Sequence, residues 1–331
     1  MSTLAPDLPA RTRAEPPTPP PAPDMVWVPS GKSMIGSDAH YVEERPAHHA
    51  SIGGLWLDRF PVTNDRFAEF VAATGYVTFA ELPPNPADYP GAIEELLQPG
   101  SLVFTKPHHP VDLSQLSNWW SFMLGADWRH PQGPDSGLDG LGHHPVVHMA
   151  YADVEAYAAW ARKEIPTEGE WEHAARGGIE NAVYAWGNEF MPNGRFMANT
   201  WQGRFPYENL REDGYEGTSP VDAFPPNGYG AHDMIGNVWE WTADWYRTSH
   251  VQPTDCCGAN AAHTSYDPCL PAIRIPRRVL KGGSHLCAPN YCRRYRPAAR
   301  YPQPIDTSTS HVGFRLIVRA SSTREATGRA A

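Results

Sequence analysis

Apolar residues recur at helical spacing in two segments of this chain. Between residues 64 and 74, Phe67, Phe70 and Val71 fall on one face of a helix. A second helix is expected over residues 151–162, where an apolar stripe is formed by Val154, Tyr157, Ala158 and Ala161, with Trp160 beside it. Each segment therefore predicts an amphipathic helix with one face toward a core.

Start and stop signals, rather than apolar spacing, mark a third helix. Thr167 and Glu170 form a capping box, in which the Thr hydroxyl accepts from a backbone N–H and the Glu side chain reaches back. Gly177 and Gly178 then favour termination of the helix. Most of the remaining chain, from the strand-like run 25–29 onward, is typical of short strands and loops.

The distribution of proline and glycine predicts how the chain is organised. Its 35 Pro and 28 Gly residues oppose long helices and wide sheets, because Pro lacks an amide donor and Gly favours turns. Residues 1–24 are rich in Pro and Ala and predict a disordered tail. We expect one domain over residues 25–320, with a loop insertion across 250–272, and a frayed C-terminus over 321–331.

Charge and cysteine content exclude several classes of protein. A net charge of −10 argues against a nucleic-acid partner. No run approaches the ~18–20 apolar residues that span a bilayer, so no membrane partner is expected. The first residues lack the apolar region of a secretory signal, and five cysteines are too few, and odd in number, for a disulfide scaffold. We therefore expect a cytoplasmic protein.

Two cysteines, Cys287 and Cys292, are the strongest candidates for chemistry. An odd spacing sends side chains to opposite faces of a straight strand, but Ala288, Pro289 and Asn290 favour a turn that brings the sulfurs together. Such a pair can form a disulfide, exchange disulfides or bind a soft metal such as Cu(I), whereas zinc prefers four ligands. Two buried core cysteines are the plain alternative.

The segment around these cysteines is cationic. No Asp or Glu occurs between Asp267 and Asp306, while the segment contains Arg274, Arg277, Arg278, Lys281, Arg293, Arg294, Arg296 and Arg300. Nearby positive charge lowers the pKa of a thiol, so we expect thiolates here. We also expect about half of these cations to pair with carboxylates from elsewhere in the chain.

Oxygen-bearing residues form a second cluster of candidates. Asp233 precedes the sequence Gly-Asn-Val-Trp-Glu-Trp at 236–241, and Asn199 and Asp213 lie upstream. Carboxylates among turn carbonyls can bind Ca²⁺, but the pattern lacks EF-hand spacing, and an acidic loop without an ion is the plain alternative. The histidines His48, His49, His143, His144 and His148 lack the spacing of a known zinc motif.

Several long motifs resemble the formylglycine-generating enzyme family, the sulfatase-modifying factors, in its bacterial form. The similar segments are HPVVHMAYADVEAYAAWA (144–161), PTEGEWEHAARGG (166–178), YAWGNE (184–189), ANTWQGRFP (198–206), GTSPVDAFPPNGYG (217–230), GNVWEWTADWY (236–246), KGGSHLCAPNYCRRYRPAAR (281–300) and GFR (313–315). The paired-cysteine pattern G-G-S-x-x-C-x₃-Y-C-x-R-Y-R separates the formylglycine generators from the wider superfamily. It is complete here, and the resemblance runs from about residue 25 to 318.

The resemblance implies a fold and an activity. The fold would be α+β, a single irregular, loop-rich domain with a C-type-lectin-like core. The activity would be that of an oxidoreductase with a sulfur-group donor and oxygen as acceptor, which converts a cysteine in sulfatase Cys-x-Pro-x-Arg segments to Cα-formylglycine. Cys287 and Cys292 would bind Cu(I), the substrate thiol would join them, and Ser284, Trp239 and Tyr291 would lie beside the dioxygen pocket.

The resemblance also implies structural calcium and a set of partners. The calcium ligands would come from Asn199, Thr200, Asp213 and Tyr215 at one site, and from Asp233, Gly236, Val238 and Glu240 at another. The partners would be an unfolded or nascent sulfatase chain, dioxygen and a thiol reductant. Pro297 and Leu316 stand where some secreted members carry disulfide cysteines, and we assign no family role to Cys256, Cys257 and Cys269.

Two other functions stay open from the sequence. A non-haem iron enzyme, such as a sulfoxide synthase, occurs in the same superfamily but would leave the paired cysteines unexplained. A non-catalytic lectin-like binding module would need neither the cysteines nor the cationic segment. Metal analysis after reconstitution, for copper, iron or neither, would distinguish the three.

Overall fold

Three α-helices and eleven β-strands form in the part of the chain that the computed structural model describes, residues 15–250 and 262–320. The helices are α1 (Asn64–Thr74), α2 (Tyr151–Ala161) and α3 (Glu168–Ala175). The structure confirms all three predicted helices. Each helix end that the sequence predicts lies within one residue of the observed end. Several single turns of 3-10 helix, such as Val42–Glu44 and Ala262–Ser265, connect the longer elements.

Local sequence explains where the helices begin and end. The Thr63 hydroxyl accepts the amide of Arg66 at the start of α1, and Gly75 ends it with the left-handed φ of 69° that glycine tolerates. At α3 the predicted capping box is present, because Thr167 and Glu170 bond each other's backbone amides.

The strands are short and fall into several small sheets. Their bounds are β1 (Met25–Val28), β2 (Gly31–Ile35), β3 (His48–Ile52), β4 (Leu55–Asp58), β5 (Gly100–Phe104), β6 (Trp120–Leu124), β7 (Trp239–Trp245), β8 (Arg277–Lys281), β9 (Arg300–Pro304), β10 (Val312–Gly313) and β11 (Ile317–Arg319). The sheets have the orders β1-β4-β11, β10-β7-β8-β9, β2-β3 and β5-β6. Pairing is antiparallel throughout except for β10 with β7.

The four-stranded sheet positions the cysteines. Strands β8 and β9 pair in a register that sets Lys281 opposite Arg300, so the chain leaves the sheet after Lys281 and re-enters it at Arg300. We call the excursion between them, residues 282–299, the cysteine loop. Because both of its ends are fixed in adjacent strands, the loop projects from one end of the sheet.

Large aromatic rings fill the interior. The Phe67 ring of α1 lies 5.8 Å from Tyr157 of α2 and 5.1 Å from Trp128. Trp171 and Trp241 are fully buried in the same core. Burying a side chain of this size stabilises the fold by about 1.5–3 kcal/mol, which compensates for the small size of each sheet.

The architecture is α+β, as the family resemblance implies. Residues 15–24 contain neither helix nor strand before β1 begins at Met25. The rest of the predicted tail (1–14), part of the predicted 250–272 insertion (251–261) and the predicted frayed C-terminus (321–331) lie outside the described residues. No helix in the described ranges is long and apolar enough to cross a membrane.

Candidate active site

A tight turn brings the two loop cysteines together. The amides of Tyr291 and Cys292 both donate to the carbonyl of Ala288, at 3.1 and 2.8 Å, which closes a turn over the Ala-Pro-Asn segment. The Cys287 and Cys292 sulfurs then lie 3.3 Å apart. This confirms the prediction that the turn overcomes the odd spacing.

Gly283 lets the two arms of the loop approach each other. Its φ is +72°, and a Cβ at this position would lie 2.8 Å from the carbonyl group of Arg294 and 2.9 Å from the amide of Tyr295. A side chain would therefore push the arms apart. The amide of Cys287 also donates to the Ser284 carbonyl at 2.9 Å, which fixes the first arm.

The environments of the two sulfurs differ. Both cysteines are buried, with 2% of Cys287 and 9% of Cys292 exposed. The hydrogen bond from Cys287 lowers the pKa of Cys292 to about 6, and Arg294 adds to this effect against the cost of burial. Burial, followed by the bond to Cys292, raises the pKa of Cys287 well above its usual value. The structure therefore favours the thiolate at Cys292 and the protonated thiol at Cys287, whereas the sequence predicts thiolates at both.

Carboxylates from elsewhere in the chain pair with many of the cations, as expected. Five of the eight predicted cationic residues form ion pairs, namely Arg277, Lys281, Arg294, Arg296 and Arg300. Arg278 instead stacks on the rings of Tyr151 and Trp245 at 4.0 and 3.7 Å. The net field at the cysteines is therefore weaker than the sequence suggests, and it depends on which cations face the sulfurs.

Helix α3 anchors both ends of the cysteine loop. Glu168 accepts from Arg300 at 2.8 Å and lies 3.5 Å from Lys281, so one carboxylate contacts the residues on both sides of the loop. Lys281 also donates to Glu172 at 2.9 Å. These groups are almost fully buried, and losing one partner of a buried pair costs about 3–5 kcal/mol. The loop is thus held at its base by charge as well as by strand pairing.

The other predicted site residues are Ser284, Tyr291 and Trp239, and they have different neighbours. The amide of Ser284 lies 3.5 Å from the Cys287 sulfur, and its hydroxyl accepts from Leu286 at 3.2 Å. The ring of Tyr291 is partly exposed and stacks on Phe205 at 4.6 Å.

Trp239 reaches the site through a neighbour. Its buried ring lies 5.8 Å from that of Tyr301, which in turn lies 5.6 Å from the Arg294 guanidinium. Tyr301 is partly exposed and was not predicted as a site residue. The structure thus places Ser284 and Tyr291 in the cysteine loop itself and Trp239 behind Tyr301, and their catalytic roles stay predictions.

Sequence reasoning missed the segment 41–44, which packs on the second arm of the loop. Glu44 forms a bidentate pair with Arg296 at 2.8 and 2.5 Å, and both side chains are buried. The Tyr41 hydroxyl accepts from the amide of Arg293 at 3.0 Å. The adjacent acids Glu43 and Glu44 gave one faint signal, but nothing local indicates that they complement arginines some 250 positions away.

Asp233 and Glu240, two predicted calcium ligands of the second set, differ in how far their carboxylate oxygens already have partners. One carboxylate oxygen of Asp233 is buried without a hydrogen-bond partner, and burial raises the pKa of Asp233 to about 7. Glu240 instead accepts from Arg315 through both oxygens, at 2.7–3.0 Å, and from the indole of Trp171 at 2.7 Å. Asp233 therefore fits a cation ligand, whereas Glu240 is already paired.

The first predicted calcium set converges on Asp213. Its carboxylate accepts from the amides of Thr200 and Tyr215 at 3.2 and 3.0 Å. The amide nitrogen of Gln202 lies 2.7 Å from Asp213 Oδ2 and also donates to the Thr200 carbonyl. A cation held by these two oxygens would require the Gln202 amide to turn.

The histidines that the sequence analysis set aside as metal ligands do not form one cluster in the structure. His148 is fully buried and bonds Ser101 and the Pro131 carbonyl, whereas His143 is exposed near Asp222. Within residues 15–250 and 262–320, no three His, Cys, Asp or Glu side chains are arranged to hold a metal. Cys269 is exposed and unpaired.

Fold and site together define an α+β domain that carries a buried dithiol on a loop at a sheet end. Residues 11–320 match the family model of the sulfatase-modifying factor enzyme 1-like domain. The chain belongs to this family, and its fold is the C-type-lectin-like fold that the resemblance implies. A solved structure of PvdO from Pseudomonas aeruginosa supports the fold with a TM-score of 0.57 over 89% of this chain and 94% of PvdO, at 24% identity.

Several relatives carry names that describe an activity or its loss. A protein of Mycobacterium tuberculosis named formylglycine-generating enzyme is 51% identical, over 89% of this chain and 97% of its own length. One of Mus musculus with the same name is 41% identical, over 88% of this chain and 74% of its own. A second mouse relative, named inactive Cα-formylglycine-generating enzyme 2, is 36% identical over 92% and 88%. Family membership alone therefore does not decide activity.

Proposed function

We propose that this protein is a formylglycine-generating enzyme, which oxidises a cysteine in a sulfatase Cys-x-Pro-x-Arg segment to Cα-formylglycine. The observation that carries the proposal is the pair of buried sulfurs 3.3 Å apart on a fixed loop. The names of the mycobacterial and mouse relatives support the same activity. A core cysteine pair without function would not need a turn, two anchored arms and a paired arginine around it.

The chemistry of the conversion defines the co-reactants. Conversion of a CH₂–SH group to an aldehyde removes two electrons and releases the sulfur as hydrogen sulfide. Dioxygen accepts four electrons, so two molecules of a thiol reductant supply the other two and leave as a disulfide. One oxygen atom is then accounted for by the aldehyde and the other by water. A cytoplasmic location, where thiols are abundant, is part of the proposal.

The donor set fits Cu(I), a soft ion that accepts few ligands. Cys287 and Cys292 would hold it, and the chemistry that it would supply there is the activation of dioxygen. Cys292 already favours the thiolate, whereas Cys287 keeps its proton. Since thiols bind metals as thiolates, binding would release the proton of Cys287.

The chain's own residues would orient the substrate and exclude water. Burial of both cysteines keeps bulk solvent from the sulfurs. Tyr291 and Tyr301 are partly exposed and flank the site, so an extended peptide could lie across them and direct its cysteine inward. A folded sulfatase would hide its cysteine, which is why the partner is an unfolded or nascent chain. Its arginine is expected to meet an acidic or carbonyl-lined pocket outside residues 274–300.

Calcium is the structural part of the proposal. Asp233 would bind through its unpartnered oxygen, together with the carbonyls of Gly236 and Val238. Glu240 would need to share its carboxylate with Arg315. The ions would stabilise the loops around the sheet rather than take part in the oxidation.

Copper titration tests the metal and its ligands. The reduced protein should bind one Cu(I) per chain, and Cys287→Ser and Cys292→Ser should lose tight binding, because one thiolate alone is a poor site for this ion. Cys269→Ser is the matched control, since it removes an exposed thiol outside the loop. Undiminished binding by either loop variant would contradict the assignment.

A peptide assay tests the reaction itself. Copper-loaded protein, oxygen and a thiol are incubated with a peptide containing Cys-Thr-Pro-Ser-Arg, and mass spectrometry follows loss of the thiol while an aldehyde-reactive probe labels the product. Peptides without the Pro or the Arg should react more slowly. If this protein leaves the peptide unchanged while the mycobacterial relative converts it, the proposed activity is contradicted.

A further inference from the structure

One arginine beside the cysteines is held by three different contacts. The Nη1 atom of Arg294 lies 3.7 Å from the Cys292 sulfur. Its Nη2 atom donates to Glu43 at 2.5 Å. The guanidinium carbon lies 4.0 Å above the centre of the Tyr41 ring, which is a cation–π distance. The planar fork of arginine allows one arm to bond Glu43 while the other faces the sulfur.

The preceding arginine has the same charge but a different direction. Arg293 is exposed, and its side chain donates to the Tyr184 hydroxyl at 3.4 Å. No ion pair or sulfur contact is formed by its guanidinium in the described part of the chain. The two neighbours thus provide a natural comparison between a cation directed at the site and one directed away.

We propose that Arg294 stabilises the negative charge on the metal-bound sulfurs of the dithiol centre. Tyr41 and Glu43 hold the Arg294 side chain in place for this role. The inference rests on the proposed function, because two thiolates and one Cu(I) leave a net charge of −1 in a buried place. A buried charge is costly unless a partner of opposite charge lies near. Among the described residues, Arg294 is the cation that contacts a sulfur, at 3.7 Å from Cys292.

Segment 41–44 would then be part of the site through Arg294. Without Tyr41 and Glu43, the long Arg294 side chain would lose the contacts that keep one arm at the sulfur. Arginine has several rotatable bonds, and ordering it costs entropy. Tyr41 and Glu43 already order the Arg294 side chain in the folded protein, so this entropy is not lost again when a metal binds.

The test compares Cu(I) affinities, measured anaerobically by competition with a chromophoric chelator. Arg294→Gln should weaken binding by about tenfold to a hundredfold, the range expected for a lost bond to a charged group. Arg294→Lys should restore part of the affinity, because the charge returns without the fork. Arg293→Gln, which removes the same charge one residue away, should stay within about twofold of the parent. Tyr41→Leu should give an intermediate loss.

Thermal midpoints of the metal-free proteins separate a site effect from misfolding. If Arg294→Gln is unstable, Arg294→Lys and Tyr41→Leu carry the test, and parent-like affinity in both would overturn the inference. Equal affinity of the parent and a folded Arg294→Gln would also overturn it, while leaving the proposed function intact. If the parent itself binds no Cu(I), the proposed function is wrong and the inference is overturned with it.

Discussion

The cysteine loop and the 233–240 segment are both metal-site candidates by sequence, yet their side chains are in different states. Within the described residues, the two loop sulfurs contact each other at 3.3 Å, and their other recorded contacts are long, 3.5 Å to the Ser284 amide and 3.7 Å to the Arg294 guanidinium. Glu240, in contrast, is saturated by Arg315 and Trp171. The regions touch, since the His285 amide and ring both contact the Asn237 carbonyl at 2.9 and 2.8 Å.

The difference shows that residue type indicates a possible metal ligand. The hydrogen bonds and ion pairs that a side chain already makes decide whether it is free to bind the metal. The long contacts of the loop sulfurs need not break when a metal binds. A buried carboxylate with a bidentate arginine must give up strong bonds or share them. We therefore expect the cysteine loop to depend on metal for activity and the 233–240 segment to depend first on its ion pair for stability.

Breaking the Glu240 pair should have the largest effect. In Glu240→Gln, the fully buried Arg315 loses its carboxylate, so the free energy of unfolding should fall by about 3–5 kcal/mol. Urea unfolding in the presence of a calcium chelator would measure this loss. Glu69→Gln is the control, because its pair with Arg66 is exposed and should be worth no more than about 1 kcal/mol. An equal loss of unfolding free energy in the two variants would contradict the prediction that the buried pair contributes more to stability than the exposed pair.

Calcium should have the next largest effect if the 233–240 segment binds it. An ion that binds only the folded state, at a concentration about a hundred times its Kd, raises the free energy of unfolding by about 2.7 kcal/mol. Thermal midpoints with calcium and with a chelator should differ for the parent. They should differ less for Asp233→Ala, which removes the unpartnered oxygen. If the chelator leaves the thermal midpoint of the parent unchanged, the prediction that either set of residues binds calcium is wrong.

The contribution of one buried histidine, His148, to acid sensitivity should be a smaller effect, and His148 belongs to neither region. Burial lowers the pKa of His148 to about 4, with partial opposition from its bond to the Pro131 carbonyl. The unfolded chain takes up the proton near its ordinary pKa of about 6.5, so stability from this group is present above that pH and is lost as pH falls toward 4. Between pH 7 and pH 5 the loss should be about 2 kcal/mol.

Unfolding curves at the two pH values, for the parent and for His148→Gln, would measure the contribution of His148. The variant should show a smaller difference between pH 7 and pH 5, because it has no proton to take up there. A parent whose stability is flat over this range would contradict the prediction.

Local signals in the sequence predicted the helices and the turn well. The capping box of Thr167 and Glu170 and the Ala-Pro-Asn turn before Cys292 involve residues a few positions apart, so their geometry is nearly independent of the rest of the fold. The sheet order could not be predicted from such signals. Its strands are two to seven residues long, and β10 pairs with β7 across some 70 positions.

What the sequence alone determined is the inventory of chemistry: a dithiol on a turn, a cationic segment, oxygen-bearing loops, and motifs long enough to indicate the family. The tertiary structure decided which of these groups face each other. It brought Tyr41 and Glu43 to Arg294, gave Arg315 to Glu240, and left the proton of the pair on Cys287. The physical reason is that charge and burial act through space, so a side chain's protonation and freedom to bind depend on neighbours far away in the chain.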